Sequence, residues 1–132
     1  MAVSATAQLA GLLRDGVRLD WRDPARPDFI VPRGSSVRDQ VTALLTPTAK
    51  PQTRHALAIV AEYRAVCLTL FTLNAQGAYA NIAEACEAVQ HEYRLVDTLG
   101  PDLADLIRAQ AAEDYTAQAH LCPRCGGPEH DA

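Results

Sequence analysis

The stretch from Thr53 to Leu73, TRHALAIVAEYRAVCLTLFTL, is apolar on nearly every side of a helix and is interrupted mainly by Glu62 and Arg64. A helix without a polar face has no place on a water-facing surface, so it belongs at the centre of a bundle with other helices around it. A bilayer also tolerates such a helix. The uninterrupted apolar run after Arg64 is only about nine residues, however, against the roughly 20 that a bilayer requires. The expectation is a core helix over residues 53–73 and no membrane partner.

The remaining segments have to wrap this helix. Residues 74–77, NAQG, form a short connection that folds the next helix, 76–99, back as an antiparallel neighbour. In it Tyr79, Ile82, Cys86, Val89, Tyr93 and Val96 follow one another by 3, 4, 3, 4 and 3 residues, a heptad seam expected to pack inside the bundle. Gly100 and Pro101 end that helix and open a last one, running to about Ala119 on a buried face of Leu103, Leu106 and Ile107. Upstream, Ser4 caps a helix that stops at Gly16, and Ser36 with Asp39 opens another through Leu45. The predicted fold class is all-α: a five-helix bundle built on the antiparallel hairpin 53–73 and 76–99. Residues 1–119 form the helical domain and 120–132 a separate tail. Cys67 and Cys86 fall within apolar patterns on the two hairpin helices and read as core thiols.

Between the first two helices lies VRLDWRDPARPDFIVPRGSS, residues 17–36, whose three prolines and alternating Arg and Asp forbid a regular helix. It reads as an extended arm or loop, with a short strand at 29–31. Trp21, Phe29 and Ile30 are large apolar residues in this polar segment, and two destinations are open to them: their own domain, or a neighbouring subunit on which the arm docks.

Charge bounds the partners. Residues 1–54 carry eight basic and five acidic side chains and residues 55–132 carry four and eleven, so the net −4 conceals about +3 followed by about −7. This split fits head-to-tail self-association or a basic arm on an acidic body. It falls short of a nucleic-acid footprint, although Arg14, Arg18, Arg22, Arg26 and Arg33 would supply one for a regulatory binder. The opening MAVSATAQLAGLLRDG has neither a basic leader nor a long apolar run, which points to a cytoplasmic protein with reduced thiols.

The tail reads HLCPRCGGPEH over residues 120–130. Cys-x-x-Cys delivers two thiolates from one tight turn, Pro123 stiffens that turn, and Gly126 lets backbone amides approach the sulfurs. Cys122, Cys125 and His130 are spaced as the first three ligands of a retroviral-type zinc knuckle, C-x2-C-x4-H-x4-C, and the segment resembles that family. The resemblance implies structural zinc on Cys122, Cys125 and His130. His120 is the nearest fourth ligand; Asp131, Cys86, Cys67, His91 or a second chain are the others. A bare turn and a redox pair remain alternatives.

Glu84, Glu87 and His91 project from one side of the fourth helix, and Asp102 and Asp105 follow at the start of the fifth. Written as E-x-x-E and then D-x-x-D, these carboxylates resemble the magnesium-binding pattern of all-α nucleotide pyrophosphohydrolases of the MazG type, which implies Mg²⁺ held against a triphosphate. No Gly-rich phosphate loop, G-x-S-x-G or Ser, His and Asp arrangement accompanies them. The leading expectation is therefore a non-enzymatic interaction or assembly protein that associates with itself or with a partner protein. Its size, its Ala and Arg bias and its short zinc motif resemble small phage proteins from GC-rich hosts, which would make it a virion or accessory component.

Overall fold

The computed structural model describes residues 4–33, 37–77 and 82–119. Its elements are α1 (Ala5–Arg14), β1 (Arg18–Asp20), β2 (Asp28–Ile30), α2 (Arg38–Leu44), α3 (Lys50–Gln76), α4 (Ile82–Leu99) and α5 (Pro101–Ala119). The class is mostly α, with one two-stranded antiparallel sheet that the all-α expectation lacked. The expected capping residue Ser36 and the seam residue Tyr79 lie outside the described residues, as does the tail 120–132.

Local chemistry sets most boundaries. The Ser4 hydroxyl accepts from the amide of Ala7 at 3.3 Å and so starts α1. Gly16, at φ 99°, ends it in the left-handed region where a side chain would be strained. Pro51 sits in the first turn of α3, where its missing N–H costs nothing, so this helix begins three residues before the expected start. Gly100, at φ 87°, donates to the Val96 carbonyl at 2.9 Å and turns the chain directly into α5.

α3 packs chiefly on α4 and α5, and α1 lies across α5 and α3. Among the most deeply buried side chains are Leu9 and Leu12 of α1, Val60 and Tyr63 of α3, Leu103 and Ile107 of α5, and Val17, just before β1. One window of α3 reaches a mean hydropathy of 1.7, long and apolar enough to cross a membrane by composition alone. In the fold, one side of that helix, Ala56, Val60, Tyr63 and Cys67, is buried, and 39 % of the window lies inside the protein.

The heptad seam is the main correction. Ile82 is 56 %, Val89 36 % and Tyr93 71 % exposed, Cys86 is exposed, and only Val96 is half-buried against the core. The inward row is instead Ala85, Ala88, Glu92, Leu95 and Leu99, in which Leu95 and Leu99 are buried. Every member but the last stands one residue before a seam residue, a rotation of about 100° around the helix. Both rows carry the same 3-4 spacing, and one helix cannot bury both. Turning the seam inward would expel Leu95 and Leu99 and break the ion pairs of α4 with its neighbours, Glu92 with Arg108 and His91 with Glu62. Spacing alone was therefore ambiguous, and the Cys86 thiol expected in the core lies outside it.

Candidate interaction surfaces

The arm is a hairpin. Register pairs Arg18 with Ile30, Leu19 with Phe29 and Asp20 with Asp28, and the period of two sends alternate side chains to opposite faces. Val17 and Leu19 are buried and Phe29 is packed against the core, whereas Ile30, beside Arg18, is 49 % exposed. The connecting turn is held by Asp23, which accepts from the amide of Ala25 at 3.0 Å, and by Asp20, which accepts from that of Arg22 at 3.0 Å. Trp21 lies half-buried under the Arg64 guanidinium, 4.5 Å from the ring centroid, and Arg64 also pairs with Asp114 at 3.3 Å. Of the three candidate docking residues, then, Trp21 and Phe29 touch their own domain and Ile30 faces solvent.

Beside the hairpin, Phe29, Val31, Val41, Leu45 and Leu57 line a cleft of about 750 Å³, whose walls also include Arg26, Arg54, Asp23 and Asp28. Its floor is apolar and its charges are of both signs. The shape admits a side chain or short segment of a partner, with no geometry that singles out one ligand.

The second surface is the outer side of α4. Ile82, Cys86, Val89 and Tyr93 form one continuous row along it. Single exposed apolar residues are ordinary on protein surfaces, but four at heptad spacing on one helix are a docking pattern. Gln90 and Asp97 border the row on its solvent side, with Glu87 and Arg94 further round the helix, and none of these four takes part in an ion pair among the described residues.

Beneath α4 lies a polar cluster that the sequence reading missed. The Glu92 carboxylate, largely buried, pairs with the half-exposed Arg108 of α5, within electrostatic reach of the Tyr63 phenol and the Cys67 thiol. Burial pushes the Cys67 thiol above its ordinary value, and burial followed by the neighbouring Cys67 does the same to the Tyr63 phenol. Cys67, 2 % exposed, is a core thiol whose burial favours the protonated form. The available signal was Glu92 itself, the one charge in the row Ala85, Ala88, Glu92, Leu95, Leu99.

The carboxylates of the pyrophosphohydrolase-like pattern are dispersed. Glu84 lines a groove with Leu68 and Thr72 of α3, His91 bonds Glu62 at 2.8 Å, and Asp102 pairs with Arg14 at 3.1 Å. Among the described residues, no three His, Cys, Asp or Glu side chains are gathered so as to hold a metal ion. Cys122, Cys125, His130 and His120 lie outside those residues. Of the candidate nucleic-acid arginines, Arg14, Arg18 and Arg22 are engaged by Asp102, Glu113 and Asp20 at 3.1 to 3.2 Å. No family model, curated protein or solved structure matches the chain.

Proposed function

We propose that the chain is a small, non-enzymatic, cytoplasmic assembly protein, a five-helix bundle with the α3 and α4 hairpin as its spine, that works by associating through the outer face of α4. The carrying observation is that row of Ile82, Cys86, Val89 and Tyr93, exposed together along one helix. The hairpin arm, with Ile30 exposed beside its cleft, is a secondary docking surface.

Cys86 reports on occupancy of the face. Its alkylation, followed peptide by peptide in the mass spectrometer, slows as protein concentration rises, while Cys67 stays unreactive throughout because it is buried. An alkylation rate for Cys86 that is fast and independent of concentration removes the reading.

The tail contributes structural zinc on Cys122, Cys125, His130 and His120, supported by a donor set of two thiols and two imidazoles, the chemistry zinc prefers. Native mass spectrometry of protein prepared without chelator is expected to give one zinc per chain, lost on substitution of Cys122 and Cys125 by serine; a metal-free mass contradicts it.

A further inference from the structure

We infer that the hairpin of residues 17–33 is a strap, hinged at its base and latched near its tip by Arg64, whose release parts the walls of the cleft beside it. The two ends of the segment meet at the base: a β-carbon built at Gly16 would lie 3.7 Å from the Pro32 ring, and Gly16 itself sits at φ 99°. The chain thus enters and leaves the hairpin at one point, the geometry of a segment that turns as a unit.

Beyond that point the backbone does not tie the hairpin to the helices. The amide of Val17 donates to the Leu12 carbonyl at 3.1 Å. Among the described residues, the backbone–backbone hydrogen bonds of residues 18–33 then run within the hairpin, in the β1 and β2 ladder and from the Arg26 amide to the Asp23 carbonyl. Swinging the strap outward breaks none of them.

Side chains hold it closed. Leu19 is buried and Phe29 packs against the core, while Arg18 reaches Glu113 of α5 at 3.2 Å between two exposed side chains, a weak tether. The latch is Arg64 of α3. Its guanidinium lies 4.5 Å from the Trp21 ring centroid and pairs with Asp114 of α5 at 3.3 Å, so one cation joins the strap to two helices. That side chain is 16 % exposed, and its Nε is buried with no hydrogen-bond partner among the described residues. A bond left unmade on a buried charged group is a cost of the closed state that water removes on opening. Apolar burial and the cation–π contact favour closure, the desolvated guanidinium opposes it, and the open state stays within reach.

What the strap gates follows from its other edge. Phe29 and Val31 form one wall of the cleft, and Val41 of α2 with Leu57 of α3 the other, so a strap turning about its base carries the first wall away and uncovers the second.

The test places a thiol on the strap's inner face with Leu19→Cys in the full chain, where its alkylation rate, followed peptide by peptide, reports how often the strap is open. Adding Arg64→Met, which keeps much of the side chain's length without its charge, is expected to raise that rate about tenfold, and Asp114→Asn, which leaves Arg64 in place, about threefold. Cys67, buried beside Glu92 and Arg108, is the control, and its own rate is expected to stay within about twofold. If Arg64→Met does not fold, Asp114→Asn decides alone. A strap thiol whose rate neither variant changes, or a Cys67 rate that rises in step with it and so reports global unfolding, overturns the inference.

Discussion

Thr53 shows how a single polar atom can matter inside an apolar helix. Its side chain is 1 % exposed and its hydroxyl donates to the carbonyl of Leu44 at 2.8 Å, tying the end of α2 to the start of α3. Thr53→Val keeps the shape and strands that carbonyl, so the variant is expected to lose about 1–3 kcal/mol in denaturant unfolding; an unchanged midpoint would mean water replaces the bond. Cys67 and Tyr63 make a second prediction at this scale. Both groups hold their protons more tightly when folded. The unfolded chain therefore releases them first, and stability, complete below the unfolded values of 9.0 and 10.0, falls as pH rises past them. The melting temperature should drop progressively from pH 9 upward, with a shallower drop in Cys67→Ala; a flat profile to pH 11 contradicts the burial of both groups. Neither residue was legible as polar structure in the sequence, where each is one more member of an apolar stretch whose partners lie far along the chain.

At the scale of elements, α4 carries the lesson. Its existence, its stop at Gly100 and the start of α5 at Pro101 follow from local chemistry, which is why they could be read directly. Its rotation could not, because two rows one residue apart share the same spacing, and which one is buried depends on Leu95, Leu99 and the Glu92 and Arg108 pair fitting against α3 and α5. Substitutions separate the rows. Leu95→Ala should cost about 2–5 kcal/mol by opening a cavity, whereas Val89→Ser and Tyr93→Ser should leave monomer stability within about 0.5 kcal/mol. Equal losses in both rows would mean the seam is core after all. The hairpin arm was half legible: a short strand was expected at 29–31, one residue beyond β2, but β1, with Leu19 between Arg18 and Asp20, is too short to be distinguished from a polar loop until its partner strand is known.

For the whole molecule, the division into a basic first part and an acidic second part finds an intramolecular use. Arg14 meets Asp102 and Arg18 meets Glu113, so two basic side chains of the first part close on acidic ones of α5. These pairs are exposed and contribute little to stability. Of the large apolar side chains exposed among the described residues, Ile82, Val89 and Tyr93 lie together on α4, and Ile30 and Leu45 stand apart from them. Sedimentation velocity across a concentration series is the direct test. The sedimentation coefficient of the wild type is expected to climb with concentration, and an Ile82→Asp, Tyr93→Asp double variant, equally helical, is expected to stay monomeric throughout. A wild type that sediments as a monomer at every concentration, or a double variant that associates as well as the parent, would contradict it.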